Sequence, residues 1–365
     1  MSLSLTTSLK RLINAIPSKV KVGVRYVGVG EPTFIIAEIG NNHNGEFELA
    51  KKLIAAAKEC GAEAVKFQKR SVEDVFTKEM REMPYDNPRS LAPTYGEHRQ
   101  KLEFTKEQFT ELKKYAESLG LVFFVTPFDL KSADFLEEIG VGAYKISSFD
   151  LTNIPLLEHV AKKHKPILLS TGMSTLEEID EAIEAILKHN HLLIVNHCVS
   201  IYPTPDEQLE LGMMKVLKER YHPLPVGYSG HEPDILPTIV AVGMEASAVE
   251  RHFTLDKTMR GSDHHMSIDP KDFKEMVDSI RRIERAFGSS KKEIHSSEVP
   301  IRAKHGKSVV AKIDIPKGTK ITKSMLTLKS PGSGIKSVYM DKLIGRVART
   351  SIPADTVLPT EALKW

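Results

Sequence analysis

The sequence predicts an α/β chain built as a (β/α)8 barrel, with a short hairpin in front and a small β-rich domain behind. Three observations predict it. Apolar runs of strand length alternate with amphipathic stretches of helix length from residue 34 to residue 288. The runs are continuous rather than alternating, which suits parallel strands buried on both faces. Each run also ends in polar side chains able to bind an ion or move a proton, as expected when eight strands deliver a site to one mouth of a barrel.

Residues 1–18 read as a polar, weakly helical lead-in. VKVGVRYVGVG (20–30) alternates apolar and polar residues with Gly at bends, a hairpin signature, and Glu31-Pro32 breaks it. A hairpin in that place is expected to close the bottom of the barrel, so residues 1–33 form one leading segment. The first barrel run, FIIAEIG (34–40), ends around Glu38. AEAVKFQ (62–68) carries Lys66 and Gln68, LVFFVTPF (121–128) Thr126, and AYKISS (143–148) Lys145 and Ser148. PILLSTG (166–172) carries Ser170 and Thr171, and LLIVNHC (192–198) His197. PVGYSGH (225–231) carries Ser229 and His231, and ASAVERHFT (246–254) Glu250 and His252.

Helical periodicity fits 46–60, 105–119, 131–139, 154–163, 175–189, 210–220, 234–244 and 270–287. Strand and helix alternating eight times imply parallel strands joined by right-handed crossovers. An open doubly wound sheet is the alternative, weakened because no GxGxxG follows the first strand. Residues 71–104 form a long excursion broken by Pro84, Pro88 and Pro93, the kind of insertion that serves as a substrate lid or interface element. After residue 288 the texture changes. Residues 289–307 are polar and read as a linker. Residues 308–365 show short strands punctuated by Gly and Pro, a second domain too small for much stability of its own.

Bulk properties narrow the function. The 365 residues are 41% hydrophobic and 27% charged, and the net charge of +3 with no Lys/Arg stripe argues against nucleic acid as a partner. No apolar run approaches the ~20 residues of a membrane span, and the N-terminus lacks a secretory core. Only Cys60 and Cys198 are present, which suits a reducing, cytoplasmic setting.

His231 and His252 close adjacent predicted strands. Neighbouring strands lie ~5 Å apart, so the two imidazoles can share a divalent ion with open positions, a Lewis acid for a substrate carbonyl. Lys66 and Lys145 sit inside apolar strands, where an ammonium needs an anion to offset desolvation. With the hydroxyls of Thr126, Ser148, Ser170 and Ser229 they outline a pocket for a small, highly charged anion such as a phosphate plus a carboxylate; a Schiff-base lysine is the other use of such a pocket. Glu38, followed by NNHNG (41–45), can act as a base or hold a sugar hydroxyl, while His43 reads equally as a loop cap. Asp263, in GSDHH (261–265), is a second acidic candidate beside its reading as a turn Asp.

IIAEIGNNHNG, EAVKFQK, FVTPFD, YKISS, LLSTGM, HCVSIYPTP, GYSGHE and VERHFTLDKTMRGSDH together resemble the sialic acid (N-acetylneuraminate) synthase family, in order over residues 35–265. SVVAKIDIPKGTKIT and LIGRVA are similar to that family's C-terminal SAF, or antifreeze-like, domain. The resemblance implies a transferase that condenses phosphoenolpyruvate with an N-acylated hexosamine, N-acetylmannosamine or its 6-phosphate, to a nine-carbon 2-keto acid with release of phosphate by C–O cleavage. It implies His231 and His252 as ligands of a divalent metal, manganese first, with magnesium or cobalt as alternatives. It places phosphoenolpyruvate on Lys66, Thr126, Lys145, Ser148, Ser170 and Ser229, the sugar on Gln68 and Tyr202, and proton transfer on Glu38, Asp150 and Asp263. Asp150 stands where some members have Glu.

The resemblance also implies a domain-swapped homodimer, in which many bacterial members bring an Arg from a KRPG motif to the partner's acyl-sugar pocket. Here the motif is KSPG, with Ser330 at the Arg position, and a hydroxyl cannot replace a guanidinium fork. TYGEH (94–98) is shared with members that act on the 6-phosphate. A diacetamido sugar leading to legionaminic- or pseudaminic-type acids is the alternative substrate. A lysine-imine aldolase or lyase is the alternative chemistry, and a sugar-binding protein that retains the barrel is the non-enzymatic one.

Overall fold

The computed structural model describes residues 5–362; residues 1–4 and 363–365, the outer ends of the lead-in and of the expected second domain, lie outside the described residues. The chain divides into two compact units after Gly288.

The first unit opens with a helix, Thr7–Ile13, capped by the Thr6 hydroxyl. A hairpin follows, β1 (Lys19–Val22) and β2 (Arg25–Gly28), paired antiparallel with Val20 opposite Val27. Eight parallel strands then close on themselves in chain order: β3 (Phe34–Gly40), β4 (Ala64–Lys69), β5 (Val122–Pro127), β6 (Tyr144–Ile146), β7 (Ile167–Ser170), β8 (Leu193–Cys198), β9 (Val226–Gly230) and β10 (Ala248–His252), the last pairing with β3. A helix follows each strand, and all eight expected helices are present, the longest being Pro270–Phe287.

Alternation along each strand sorts side chains into two cores. Outward residues such as Ile35, Val65, Phe123, Leu169, Val195 and Val249 pack under the helices. Inward residues at the strand starts, among them Phe34, Ile36, Phe124, Leu168 and Ile194, form a separate cluster with Val20, Val22 and Val27 of the hairpin. The hairpin therefore plugs the amino-terminal end of the barrel with apolar side chains, as expected. What remains for the other end is polar: the same inward rows continue into Glu38, Lys66, Thr126, Lys145, Ser170, Ser229 and Glu250, all buried. Burying ionised groups is tolerable only where they pair or meet a ligand, so the fold concentrates its exceptions at one mouth.

The excursion over 71–104 is less irregular than its prolines suggest. It holds three short helices, Val72–Val75, Lys78–Glu82 and Tyr95–Lys101. The last begins with a capping box, in which Thr94 accepts from the Glu97 amide and the Glu97 side chain accepts from the Thr94 amide.

The second unit pairs β11 (Ser308–Ala311) with β12 (Leu326–Lys329) antiparallel, extended by single bridges such as Ile315 to Ile352. Its small core includes Val309, Ile321, Leu343, Ile352 and Leu358. The stretch 289–307, expected as a linker, contributes a helix, Val299–His305, and the Ala303 carbonyl of that helix accepts from the Gly332 amide at 2.8 Å. The stretch thus belongs to the second unit. Among the described residues no helix is long and apolar enough to cross a membrane, and Cys60 and Cys198 are free thiols.

Candidate active site

One cavity of about 570 Å³ occupies the carboxyl-terminal mouth of the barrel. Thirteen of the fourteen residues nominated from sequence line it: Glu38, Lys66, Gln68, Thr126, Lys145, Ser148, Asp150, Ser170, Tyr202, Ser229, His231, His252 and Asp263. The fourteenth, Ser330, lies in the second unit, where its hydroxyl donates to the His305 carbonyl at 3.1 Å and accepts from Lys307 Nζ at 3.0 Å.

At the floor, two lysines interleave with two carboxylates. Lys66 Nζ is 2.8 Å from Glu38 Oε2 and 3.5 Å from Glu250 Oε1, and it donates to the Thr126 hydroxyl at 3.1 Å. Lys145 Nζ is 3.9 Å from Glu250 Oε1 and donates to the Ile146 carbonyl at 3.3 Å. The Ser229 hydroxyl donates to Glu250 Oε1 at 3.3 Å. A bulge between Glu38 and Gly40 re-aims the end of β3, and Gly40 there has φ of 52°. A Cβ at Gly40 would come within 2.8 Å of Glu38 Oε1, so this position requires glycine on both steric and backbone grounds.

The four charges are not equivalent. Burial raises the Glu38 carboxyl above its ordinary value, although Lys66 opposes this. Burial would raise Glu250 too, but Lys145 and Lys66 flank it and hold it below the ordinary value. Burial pulls the lysines down, yet Glu250 and Glu38 more than restore Lys66. Lys145, helped by Glu250 but opposed by Lys66, ends below the ordinary lysine value. Two carboxyls whose environments push them apart are the usual arrangement of an acid and a base that work together.

Above the floor sit the imidazoles, with ring centroids of His231 and His252 5.4 Å apart. His231 directs Nδ1 at the Val199 carbonyl, 2.8 Å away, and its ring also engages the Cys198 thiol. Burial lowers His252 to about 3 even though the Asp263 carboxylate opposes it, so its ring is neutral at pH 7. His252 Nδ1 is buried without a hydrogen-bond partner and lies 3.8 Å from Asp263 Oδ2. Two imidazoles with an unspent buried nitrogen fit a divalent metal. Among the described residues no group of three or more His, Cys, Asp and Glu is arranged to hold an ion, so the remaining positions would fall to water or substrate.

Asp263 also accepts from Asn41 Nδ2 at 3.0 Å, which takes it beyond a turn role. Gln68 Nε2 donates to Glu38 Oε1 at 2.9 Å. Tyr202 packs against His231, with ring centroids 4.1 Å apart and the rings tilted by 48°. Ser148 accepts from the Gly172 amide at 2.9 Å, and the Ser170 hydroxyl is buried with no partner. Burial lifts Asp150 to about 6, although its bonds to Asn153 and Ser147 oppose the lift.

Other side chains fall elsewhere. His197 points away from the cavity and bonds the Leu209 carbonyl at 2.8 Å. The next residue, Cys198, is the one that lines the cavity, where burial opposes ionisation but His231 and Lys145 lower the thiol to about 7. His43 accepts from the Gly45 amide at 3.0 Å, a loop cap. Thr171 donates to the Asn196 carbonyl at 3.0 Å. Arg70, Arg99, Cys198 and Glu250 also line the cavity, and sequence reasoning assigned them no role.

Behind the imidazoles, on the outside of the barrel, Arg251 and Glu232 clasp one another. Arg251 Nη1 donates to Glu232 Oε1 at 2.9 Å, to the Thr238 hydroxyl at 2.9 Å and to the Asp234 carbonyl at 2.7 Å. Tyr228 and Thr238 donate to the Glu232 carboxylate at 2.9 and 2.6 Å. Each partner is the chain neighbour of one imidazole, so the clasp ties the ends of β9 and β10 together. Arg251→Met leaves Glu232 buried and uncompensated; about 3–5 kcal/mol of stability should be lost, read from urea unfolding.

Residues 53–292 match the NeuB family, and residues 306–364 match the SAF domain. The chain is 39% identical over 338 residues to the N-acetylneuraminate-9-phosphate synthase of Homo sapiens, covering 92% of this chain and 94% of that one. It is 39% identical over 348 residues to the N,N'-diacetyllegionaminic acid synthase of Legionella pneumophila, covering 94% and 98%. The sialic acid synthetase of Leptospira borgpetersenii, crystallised with citrate, aligns with a TM-score of 0.70 at 33% identity, over 78% of this chain and 95% of that one.

Proposed function

The chain belongs to the NeuB family of sialic and related nonulosonic acid synthases, and from that premise we propose that it condenses phosphoenolpyruvate with an N-acyl hexosamine, N-acetylmannosamine or its 6-phosphate. The observation that carries the reading is the floor of the cavity, where two buried ammonium groups and unspent hydroxyls face the same space as two imidazoles and several carboxylates.

Lys66 and Lys145, with Thr126, Ser148, Ser170 and Ser229, bind the phosphate and carboxylate of phosphoenolpyruvate. Gln68 and Tyr202 hold the open-chain sugar. Carbon 3 of the enol attacks the sugar aldehyde and forms the new C–C bond, leaving positive charge at carbon 2. A divalent metal, manganese before magnesium or cobalt, held by His231 and His252 would supply polarisation of the aldehyde oxygen. Water adds at carbon 2 and gives a proton to Asp150. The C–O bond to phosphate then breaks as the new carbon 2 hydroxyl passes its remaining proton to the departing phosphate oxygen, so the ketone forms and phosphate leaves with the electron pair. Glu38, the carboxyl with the raised affinity for a proton, supplies the proton taken up by the aldehyde oxygen, and Asp263 orients His252.

Asp150 sets an acid limb. Its carboxyl is charged above about pH 6 and neutral below, so kcat/KM should fall about tenfold per pH unit below 6. Because the folded value is raised, the ionised form weighs against folding, and stability is regained as pH falls through 6. A pH–rate profile checks this, with Asp150→Glu keeping a limb and Asp150→Asn losing it along with most of the activity.

The reading is tested by incubating the protein with phosphoenolpyruvate, Mn²⁺ and a panel of hexosamines, following phosphate and 2-keto acid. Absence of turnover with every sugar, while phosphoenolpyruvate binds, overturns it. A legionaminic-type reading is supported by the equal resemblance to the Legionella relative, and turnover confined to a diacetamido sugar would select it. A lysine-imine reading has one observation behind it, the lowered value at Lys145; borohydride trapping of pyruvate on Lys145 would select that instead. A cytoplasmic, domain-swapped homodimer, with Ser330 at the partner's acyl-sugar pocket, completes the proposal, and light scattering reads the dimer.

A further inference from the structure

Lys66, Gln68 and Arg70 recur at every second residue along β4 and its exit, and all three line the cavity. Strand rise separates the backbone of Arg70 from that of Lys66 by roughly 13 Å, with Gln68 between them. Arg70 is only 4% exposed. Its Nη2 donates to Gln68 Oε1 at 2.6 Å, and its guanidinium stacks 4.4 Å from the Phe128 ring centroid. Nη1 is buried and has no hydrogen-bond acceptor.

The nearest carboxylate to Nη1 is Glu103, at 3.8 Å, and its other oxygen is already taken by Lys69 Nζ at 2.7 Å and the Arg70 amide at 3.2 Å. Arg99 lines the same cavity from the helix Tyr95–Lys101. It donates from Nε to the Tyr95 hydroxyl at 3.0 Å, and burial first, with the Arg99 charge second, lowers Arg70 to about 10. Asp263 feels Arg99 as well but is engaged by Asn41 and lies against His252. Two guanidinium groups that repel each other across a cavity wall, one with a buried unspent N–H, call for a dianion between them.

We propose that Arg70 and Arg99 form a second anion-binding subsite at the rim, which takes the phosphomonoester of a 6-phosphorylated N-acyl hexosamine. The proposal rests on the synthase reading above and decides between its sugars. A sugar phosphate laid end-on along the β4 ladder puts its aldehyde toward the imidazoles and its phosphate toward the two arginines. The product then carries the phosphate at the end remote from the new keto acid, as in the relatives named 9-phosphate synthases.

The test compares kcat/KM for N-acetylmannosamine 6-phosphate with that for N-acetylmannosamine in the full chain, and in Arg99→Gln, Arg99→Lys and Arg70→Lys. Arg99 is only half-buried, on a short helix, so its variants keep the fold testable. A charge-assisted pair of hydrogen bonds contributes ~1.5–3 kcal/mol, so Arg99→Gln should lower the ratio of phosphorylated to unphosphorylated substrate about 10–100-fold. Arg99→Lys, which keeps the charge, should recover a large part of it. Equal losses on both sugars, or an unchanged ratio, overturn the subsite and leave the synthase reading standing. If no sugar is turned over at all, calorimetry with the 6-phosphate and with inorganic phosphate alone still decides. Binding of the sugar phosphate that Arg99→Gln weakens at least tenfold supports the subsite. Binding indifferent to Arg99, or inorganic phosphate binding as tightly as the sugar phosphate, overturns it.

Discussion

His252→Ala should lower kcat/KM for the condensation about a thousandfold while leaving the protein folded. The expectation follows from what the ring does and does not touch. His252 is neutral because burial outweighs the pull of Asp263, and its Nδ1 has no hydrogen-bond partner. Removing it therefore orphans little: Asp263 keeps Asn41, and the Arg251–Glu232 clasp lies on the other side of the strand. A stability cost within about 2 kcal/mol is expected, the range of an ordinary substitution. A Lewis acid on a developing alkoxide contributes several kcal/mol, and each 1.36 kcal/mol is a tenfold change in rate. The two quantities separate cleanly. Urea unfolding should barely move, the phosphate-release rate should collapse, and Mn²⁺ retained after gel filtration should fall. A variant that keeps more than a tenth of the activity would remove the imidazole pair from the electrophilic role.

How much of this was legible before any coordinates follows from particular residues. The strands were readable because a barrel strand is buried on both sides and so reads as one apolar run; FIIAEIG matches β3 end to end. The inward lysines were readable because nothing else explains Lys66 between Val65 and Phe67. Parity was harder. In LLIVNHC the sequence offers two adjacent chemical side chains, and only the phase of the barrel decides that Cys198 faces the cavity while His197 bonds the Leu209 carbonyl outside it. Glu250 stood in plain view at the end of a strand, but its importance depends on two lysines from β4 and β6 reaching it, a convergence across the barrel that no spacing encodes. Arg70 and Arg99 were invisible for a different reason. They sit just beyond a strand and on a seven-residue helix inside a proline-broken stretch, where charged residues are usually solvated. TYGEH carried its signal as a resemblance, whereas its physical content is a capping box that starts the helix bearing Arg99.

Lys66→Met should produce the largest combined effect, and a second substitution separates its two parts. The ammonium of Lys66 is the shared counter-ion of Glu38 and Glu250, at 2.8 and 3.5 Å, and both carboxyls are almost completely buried. Deleting one partner of a buried pair leaves an uncompensated charge, a loss of about 3–5 kcal/mol. Lys145 can take over only part of the load, being 3.9 Å from Glu250 and already below its ordinary value. Phosphoenolpyruvate binding should weaken about 100-fold, since a charge-assisted contact to a buried anion is worth ~1.5–3 kcal/mol. In Lys66→Met/Glu38→Gln the orphaned charge next to Lys66 is gone, so much of the stability should return. Binding should not return, because the ammonium is still missing. A double-mutant cycle run twice, once by denaturation and once by calorimetry with phosphoenolpyruvate, therefore gives strong coupling in the first and little in the second. Recovery of both together would make Lys66 a structural counter-ion alone, and phosphoenolpyruvate would have to rest on Lys145 and the serine hydroxyls.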